Sequence, residues 1–392
     1  MKRPGTAARA RHVFVVVGEE SGDQLGASLM RALRERLGGS GVKFSGVGGS
    51  AMAAEGLTSL FPLADLALFG IVHLVPRLWR ALARVRETVN AIIAAQPDVL
   101  VIVDSPEFTH RVARRVRARA PQVPILNYVS PSVWAWREGR ARAMRAYVDH
   151  VLALLPFEPE AHRRLGGPPC TFVGHPLAEK IALLRPEPAE RARRMGDPPV
   201  VLALPGSRAS EIARLGPVFG EALAQVVREK GALDIVLPTI PHRRAQVEAV
   251  TACWPVRPRI IVEPKEKYQA FRVARAALAA SGTVTLELAL AGVPTIAAYR
   301  VAGIEAQIAR WMIRVPSVVL ANLVLGENVV PEYLQDRCTP AKLAAALAPL
   351  LADSPTRRRQ VEAFARLDAI MEIASTRPSL RAADLVIAAF RS

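Results

Sequence analysis

Two kinds of segment alternate along most of this 392-residue chain, and their alternation is the feature that most constrains the fold. Short runs of valine, leucine and isoleucine, bounded by glycine, proline or aspartate, are separated by longer stretches rich in arginine, alanine and leucine. Short continuous apolar runs are typical of parallel strands buried on both faces, and the longer stretches are typical of the helices that cover them. The sequence therefore predicts an α/β fold built on parallel sheets.

The predicted strands form two series, and a chain of this length exceeds the size of a single hydrophobic core. The first series comprises residues 13–17, 43–47, 99–103, 125–129, 151–155 and 171–173. The second comprises residues 200–204, 234–237, 259–262, 277–280 and 295–298. Residues 185–199, rich in proline and charge, read as a linker. We predict two Rossmann-like doubly wound domains, residues 1–184 and 200–392, the second including the C-terminal helices. They should face a central cleft at the carboxyl ends of their strands.

The net charge of +17, from 52 Lys and Arg against 35 Asp and Glu, predicts an anionic partner. Nucleic acid, an acidic membrane surface and phosphorylated substrates all meet that description. The three cysteines form neither a metal-ligand spacing nor a redox pair, which favours a reducing cytosol. No segment approaches the ~20 apolar residues of a membrane-spanning helix, so we expect any membrane contact to be peripheral.

The motif GEESGD, residues 18–23, follows the first predicted strand and opens a helix predicted at residues 24–37. Backbone amides at such a turn suit a phosphate or sugar hydroxyls. Glu19 and Glu20 would repel a bare phosphate, so contact with a sugar or an incoming hydroxyl is the better functional interpretation, and Glu19 is a candidate catalytic residue. Helix capping by Ser21 and Asp23 explains the spacing equally well.

Asp104 ends the third predicted strand, at the sheet edge where catalytic residues of α/β folds collect. It is our first candidate for a general base, although position alone also fits a cap for the helix that begins near Glu107. The segment VSPSVWAWR, residues 129–137, follows the next strand. Its tryptophans suit sugar stacking and its arginine suits a phosphate.

Residues 68–93 carry apolar side chains at helical spacing with arginines between them. Such a face can lie on an anionic bilayer. From periodicity alone, covering the sheet is the favoured role, because most amphipathic helices in α/β proteins do so.

Two turns of the second half indicate a nucleotide diphosphate. LPGSR, residues 204–208, puts Ser207 and Arg208 after a strand, and an arginine can neutralise the charge that develops on a diphosphate leaving group. Ser281-Gly282-Thr283 follows another strand, with Glu287 one turn later as a ribose acceptor. An ordinary capped helix with a surface Glu287 is the alternative. The repetition of the turn favours nucleotide binding.

Seven motifs, taken together, resemble the lipid-A-disaccharide synthases: GEESGD, VSPSVWAWR, LPFE, GHPL, LPGSR, SGTVTLELALAGVPT and the AN…VPE segment. The match runs in order from about residue 13 to residue 385. The resemblance implies a GT-B glycosyltransferase, with two Rossmann-like doubly wound domains facing a central cleft. It implies transfer with inversion of 2,3-diacylglucosamine from its UDP derivative to 2,3-diacylglucosamine 1-phosphate, giving the β-1,6 disaccharide of lipid A. Neither a metal nor a cofactor is expected.

The same resemblance assigns roles to residues. Asp104 and Arg208 fall at the family's essential aspartate and arginine, and Asp104 stays open as base or as acceptor anchor. The positions associated with UDP are Ser281, Gly282, Thr283, Glu287 and Asn322. The resemblance also implies a cytoplasmic protein held peripherally on the anionic inner face of the cytoplasmic membrane. The sequence leaves the oligomeric state open, a homodimer included.

Two other functions fit parts of the sequence. A UDP-N-acetylglucosamine epimerase would use similar Ser-Gly-Thr contacts, but it would need neither VSPSVWAWR nor a basic lipid-facing helix. A nucleic-acid-binding protein would account for the arginine clusters at residues 111–119 and 357–359. Only 5% of residues are aromatic and no recognition module is evident, so we expect no nucleic acid partner.

Overall fold

The computed structural model describes residues 9–69, 74–301 and 316–390. Its contacts divide the chain into two compact units. Unit 1 comprises Met1–Pro176 with Ser375–Ser392, and unit 2 comprises Leu177–Ala374. Each unit contains a six-stranded parallel sheet with covering helices, so the α/β prediction is confirmed.

The sheet of unit 1 has the order β2-β1-β3-β4-β5-β6, and every neighbouring pair is parallel. Its strands are β1 (Arg11–Val17), β2 (Val42–Val47), β3 (Val99–Val103), β4 (Ile125–Tyr128), β5 (His150–Ala153) and β6 (Cys170–Phe172). The sheet grows in one direction from β1 to β2 and in the other from β3 onward. The gap between the ends of β1 and β3 is therefore a topological switch point, where sheets of this kind bind ligands.

Helices cover both faces of this sheet because the side chains of each strand alternate between them. Numbered along the chain, they are α1 (Glu20–Leu37), α2 (Ser50–Ala54), α3 (Leu74–Ala95), α4 (Pro106–Arg119), α5 (Gly139–Met144), α6 (Glu158–Arg164) and the C-terminal α17 (Pro378–Ala388), with a 3₁₀ helix at Leu63–Phe69. Val13 and Val15 of β1 share an apolar cluster with α1 and α17. Phe14 and Val16 point the other way, into a cluster with α3 and α4.

The C-terminal helix α17 belongs to unit 1, which differs from the predicted assignment of residues 200–392 to one domain. Its apolar face, with Leu380, Ala383 and Val386, is buried in the same cluster as α1. Gly174 of the GHPL motif, at φ +100°, lies where an added Cβ would meet the ring of Pro378. A helix late in the sequence thus completes the first core, and its placement follows from burial of that face.

The predicted amphipathic segment, residues 68–93, mostly covers the sheet where its side chains are described. Val85, Val89 and Ile92 of α3 are buried against the strands. Residues 70–73 lie outside the described residues, and nothing is described of the side chains of residues 67–78. On the outer face of α3, Trp79 is 71% exposed and Arg80 is exposed. Within the described part of the chain, no helix is both long and apolar enough to cross a membrane.

The sheet of unit 2 has the order β12-β11-β10-β7-β8-β9, again all parallel. Its strands are β7 (Val200–Leu204), β8 (Asp234–Pro238), β9 (Arg259–Ile261), β10 (Ala276–Ala280), β11 (Thr295–Tyr299) and β12 (Glu332–Leu334). The switch point here lies between β7 and β10. β12 was not predicted, because its three residues follow a polar stretch that is typical of a loop.

The described helices of unit 2 are α7 (Ile181–Leu184), α8 (Pro188–Met195), α9 (Ala209–Lys230), α10 (Arg244–Thr251), α11 (Pro264–Val273), α12 (Thr283–Leu290), α13 (Leu320–Leu325), α14 (Pro340–Leu347), α15 (Pro355–Ala365) and α16 (Leu367–Ile370). Short 3₁₀ helices lie at Pro176–Lys180, Pro241–Arg243, Gln335–Arg337 and Ala348–Leu351.

The predicted linker, residues 185–199, is instead an integral part of unit 2. The buried Arg194 of α8 donates hydrogen bonds of 3.0–3.1 Å to four backbone carbonyls. Two belong to Phe271 and Arg272 at the end of α11, and two to Ala291 and Gly292 just after α12. Carbonyls at helix ends lack partners within their own helix, so one guanidinium satisfies both ends. Proline and charge predicted a linker at residues 185–199 because these local features do not reveal that Arg194 bonds to residues far away in the chain.

We expect Arg194→Ala to destabilise unit 2 by at least ~3 kcal/mol, because it leaves four buried carbonyls without their donor. Arg191→Ala, on the exposed side of the same helix, should change stability by less than ~0.5 kcal/mol. Hydrogen exchange of the β10 and β11 amides measures the stability of unit 2 by itself. An unfolding transition of the whole chain would combine the stabilities of both units. Equal protection in both variants would contradict the role of Arg194.

Candidate functional site

The first and third strands of unit 1 end in loops that contact each other at the switch point. A Cβ added at Gly18 would overlap the side chain of Ser105, so only glycine allows the GEESGD turn to approach so closely. The Ser21 hydroxyl lies 3.5 Å from Oδ2 of Asp104 and donates to it. The structure thus brings two sequence-predicted elements, the GEESGD turn with Glu19 and the carboxylate of Asp104, to one edge.

Asp104 leaves β3 in a strained turn. Its φ is +50° and that of Ser105 is +44°, a region that costs free energy for residues other than glycine and that recurs at functional sites. Two contacts hold the turn: the Ser105 amide donates to Asp104 Oδ1 at 2.7 Å, and the Thr109 hydroxyl donates to the Asp104 carbonyl at 2.6 Å. The residue that precedes α4 is Ser105, so the alternative of Asp104 as a helix cap is wrong. The carboxylate remains partly exposed.

Asp23 of the same motif has a structural role. It is 1% exposed, and its carboxylate accepts hydrogen bonds from the amides of Gly49, Ala51 and Met52 at 2.7–3.1 Å. These amides begin α2, so Asp23 caps a helix other than the one it belongs to. The alternative that Ser21 and Asp23 cap the helix that follows them is wrong, because α1 begins at Glu20 and contains both residues. Glu19, Glu20 and Ser21 are exposed at the edge.

The LPFE motif anchors the VSPSVWAWR loop. The indole N–H of Trp134 donates to Glu158 Oε1 at 3.1 Å, and the ring of Phe157 contacts the same indole edge-on at 5.1 Å between centroids. Oε2 of Glu158 accepts from the amides of Leu154 and Leu155 at 3.0 and 2.9 Å. Phe157 and Glu158 of the LPFE motif therefore hold Trp134 in place, and through it they anchor the VSPSVWAWR loop.

Burial sets the protonation of the groups beneath this loop. Complete burial raises the pKa of Glu158 to about 7, against the opposing effect of its three hydrogen bonds. Burial also lowers the pKa of His162 to about 4. Nε2 of His162 lies 2.8 Å from the Ser130 hydroxyl. A neutral His162 thus holds the start of the loop and Glu158 holds its middle.

Trp136 is covered by arginines. The guanidinium of Arg137 lies 4.4 Å from its ring centroid and that of Arg140 lies 5.9 Å away. Both arginines also contact Oε1 of Glu107, at 3.5 and 2.9 Å. Part of the aromatic surface expected for sugar stacking is therefore occupied by cations.

The loops after β7 and β10 border a cavity of about 350 Å³ in unit 2. Five sequence-predicted residues line it: Ser207, Arg208, Ser281, Gly282 and Thr283. They come from both sides of the switch point, so the structure joins two motifs separated by more than 70 positions. A second cavity of about 1280 Å³ shares Ser281, Gly282 and Thr283 as its rim.

The two helix N-termini at this cavity are not equivalent. At α9, Oε2 of the buried Glu211 accepts from the amides of Ser207 and Arg208 at 3.2 Å, and Oε1 accepts from the Arg208 guanidinium at 3.0 Å. Gly206, at φ +113°, permits this, because a Cβ there would overlap the Glu211 carboxylate. A carboxylate thus already occupies the start of α9. The start of α12, at Thr283, lines both cavities, and the N-terminus of a helix can bind phosphate.

Lys267 of α11 is a cavity residue that sequence reasoning missed. It lines the 350 Å³ cavity, and its Nζ lies 2.6 Å from Oε2 of Glu287. The expected ribose acceptor is therefore also the partner that positions a cation. No motif surrounds Lys267, and its role is evident only from the packing. With Arg208, whose side chain is 77% exposed, it gives the cavity two cations beside the open end of α12.

Asn322 differs from its expected role. Its amide Nδ2 donates to the Val330 carbonyl and to Glu332, and its Oδ1 accepts from the amides of Val329 and Val330, all at 2.8–3.0 Å. The side chain is 2% exposed and lines neither cavity. It shapes the segment that leads into β12, and the geometry does not support the expected direct contact with UDP.

We expect Glu158→Gln to release Trp134. Glutamine can keep one oxygen on the two backbone amides, but its NH₂ would then face the indole N–H, and two donors cannot bond. Loss of this contact should cost ~1–3 kcal/mol and raise hydrogen exchange across residues 130–137. Glu160→Gln, on the exposed face of α6, is the matched control. Unchanged exchange in Glu158→Gln would show that Phe157 packing alone holds the loop.

Comparison with known proteins identifies the family. The family model for lipid-A-disaccharide synthetase matches residues 13–384. A lipid-A-disaccharide synthase of Nitrobacter hamburgensis is 61% identical over 384 residues, covering 98% of this chain and 97% of that protein. One from Rhodopseudomonas palustris is 59% identical and covers 98% of each.

Solved structures similar to the chain share its fold at low identity. MurG of Acinetobacter baumannii has a TM-score of 0.57 at 16% identity, covering 96% of this chain and 99% of that one. A UDP-GlcNAc 2-epimerase of Methanocaldococcus jannaschii, solved with UDP-GlcNAc and UDP, has a TM-score of 0.59 at 12% identity, with the same coverage. The fold is α/β of the GT-B type, as predicted. Sequence identity separates this chain from the epimerases, and it belongs to the lipid-A-disaccharide synthase family of glycosyltransferases.

Proposed function

We propose that this enzyme transfers 2,3-diacylglucosamine from UDP-2,3-diacylglucosamine to the 6-hydroxyl of 2,3-diacylglucosamine 1-phosphate. The products are the β-1,6-linked disaccharide 1-phosphate of lipid A and UDP. One observation carries the proposal: in a chain 61% identical to a lipid-A-disaccharide synthase, the switch point of unit 2 joins two cations to an open helix N-terminus. That combination suits a diphosphate.

On the donor side, the amides at the start of α12 would bind the diphosphate, with Ser281, Gly282 and Thr283 around it. When the bond between the donor's C1 and the diphosphate oxygen breaks, the electron pair leaves with UDP. Arg208 and Lys267 would balance the negative charge that develops there. Glu287 would position Lys267 and accept from the ribose with its remaining oxygen lone pairs. This assigns the leaving-group chemistry to side chains and backbone amides of unit 2.

On the acceptor side, we propose Asp104 as the general base. Its carboxylate would take the proton of the acceptor's 6-hydroxyl as that oxygen attacks C1 of the donor, and inversion follows from this single displacement. The bonds to Ser105 and Ser21 orient the carboxylate. Glu19, exposed on the adjoining turn, would contact the acceptor sugar.

We further propose that the enzyme acts peripherally at the inner face of the cytoplasmic membrane, where acylated sugars reside. The exposed Trp79 and Arg80 on the outer face of α3 support this, since an indole and a guanidinium suit the interface of an anionic bilayer. The net charge of +17 adds a long-range attraction to the same surface.

We expect Asp104→Asn to lower kcat by about 10²–10⁴-fold, because the amide keeps the shape and the bond from Ser105 but cannot accept a proton. UDP affinity should stay within about twofold, since Asp104 lies in the other unit. The measurement is mass spectrometry of the products from the two acylated substrates, with and without chelator. A raised KM for the acceptor at normal kcat would make Asp104 an anchor.

The same assay tests the function as a whole. Wild-type enzyme should release a disaccharide 1-phosphate and UDP in equal amounts in the presence of chelator. If both substrates return unchanged from detergent and from liposomes, the proposed acceptor is wrong, and epimerisation of UDP-N-acetylglucosamine becomes the next activity to measure.

We expect Lys267→Met to weaken UDP binding about tenfold or more while changing uridine binding little, because the lost interaction is with the diphosphate. Isothermal titration with UDP and with uridine separates the two effects. Lys265→Met, exposed on the same helix, is the control and should leave both affinities unchanged. An equal loss of affinity for UDP and uridine would contradict a role at the diphosphate.

A further inference from the structure

A small basic pocket lies on unit 1, and its lining shares no residue with the 350 Å³ cavity of unit 2. Its volume is about 160 Å³, and it is lined by Pro106, Glu107, His110, Arg111, Arg114 and Arg140. At ~30 Å³ per water, it has room for a phosphoryl group with some water but not for a nucleoside. Three arginines and one glutamate give its lining a net charge of +2 if the histidine is neutral.

The arginines of this pocket differ in whether they already pair with a carboxylate. Arg140 donates to Glu107 at 2.9 Å, and Glu107 also contacts Arg137. Among the described residues, neither Arg111 nor Arg114 has a carboxylate within 4.0 Å. The one carboxylate of the pocket is therefore shared by two arginines, and two further guanidiniums line the same small volume without an anion.

The ring of Tyr147 holds Arg114 in place. Its guanidinium lies 4.8 Å from the ring centroid of Tyr147, and the Tyr147 hydroxyl lies 3.0 Å from Nδ1 of the buried His110. Burial, and then the positive charges of Arg140 and Arg114, lower the pKa of His110 to about 4. The histidine thus stays neutral and adds no charge to the pocket. A stacked guanidinium loses less side-chain entropy when it binds an anion, because it is already oriented.

The pocket lies beside the proposed base. Pro106 begins α4 two residues after Asp104, and Arg111 follows at roughly 8 Å along the helix axis at 1.5 Å per residue. The part of the pocket lined by Pro106 and Glu107 therefore adjoins Asp104 along the chain, and Arg111 and Arg114 lie about one and two helical turns further on.

We propose that this pocket binds the phosphate monoester of the acceptor sugar, with Arg111 and Arg114 as its principal ligands and Arg140 as a third. The inference rests on the proposed function, since it names the group that orients the acceptor's 6-hydroxyl toward Asp104. Paired guanidinium forks match the geometry and charge of a phosphate dianion. The pocket thereby distinguishes a phosphorylated acceptor from an uncharged one.

The test compares wild-type enzyme with the double variant Arg111→Gln/Arg114→Gln, using 2,3-diacylglucosamine 1-phosphate and unphosphorylated 2,3-diacylglucosamine as acceptors in detergent. The double variant should raise KM for the phosphorylated acceptor about 10- to 100-fold and lose the preference between the two acceptors. KM for the donor should not change, which also reports an intact fold. Inorganic phosphate should compete with the acceptor in wild-type enzyme and not in the variant.

Arg115→Gln/Arg119→Gln is the matched control, since it removes two charges from exposed positions of the same helix outside the pocket. Because Arg114 packs on Tyr147, the single variant Arg111→Gln is a second test and should raise the acceptor KM by a smaller factor. An unchanged acceptor KM in both pocket variants, beside an active wild type, overturns the inference and leaves the proposed function standing. Absence of disaccharide from wild-type enzyme overturns the proposed function instead.

A membrane lipid could supply the same phosphate chemistry, and a separate measurement distinguishes this source. The measurement is binding to vesicles of phosphatidylcholine with phosphatidylglycerol. Relative to wild-type enzyme, the double variant should lose no more vesicle affinity than the Arg115→Gln/Arg119→Gln control loses. If the pocket variant alone loses vesicle binding while keeping its acceptor KM, the pocket serves a lipid headgroup and the inference is wrong.

Discussion

Both units depend on one constraint of parallel sheets: where the order of strands reverses, two loops diverge and leave a gap at the carboxyl edge. In unit 1 the reversal lies between β1 and β3, and in unit 2 between β7 and β10. The gap of unit 1 is bordered by the GEESGD motif and the turn at Asp104, and the gap of unit 2 by the LPGSR and SGTVTLELALAGVPT motifs. The motifs recur at these positions because a doubly wound sheet offers a ligand few other places free of covering helices.

Glycine and strain determine how closely each pair of loops approaches. In unit 1, Gly18 admits the side chain of Ser105, and the left-handed turn at Asp104 turns a carboxylate toward the edge. In unit 2, Gly206 admits the carboxylate of Glu211, which occupies the start of α9. The start of α12 lines the same cavity, and we propose it as the phosphate site. The two strand-to-helix turns of unit 2 thus differ in charge. The carboxylate of Glu211 lies at the start of α9 and would repel a phosphate there.

Buried charge also holds the framework beneath these edges. Arg194 satisfies the carbonyl ends of α11 and α12, the helices that carry Lys267 and Glu287. Glu158 satisfies two backbone amides and the indole of Trp134. In each case a single side chain replaces several missing backbone partners, and its removal would leave more than one polar group unsatisfied.

The sequence by itself determined the fold class, eleven of the twelve strands that the structure describes, and the residues of both switch-point edges, since apolar periodicity and strand-ending turns are local signals. It also identified the family, because motif order survives without coordinates. Tertiary structure alone decided that α17 joins unit 1 and that residues 185–199 pack into unit 2. It also decided that Asn322 bonds to the segment that leads into β12 and that Lys267 lines the cavity. These outcomes depend on contacts between residues far apart in the chain, whose free energy is set by which groups become buried together, and no local pattern records that.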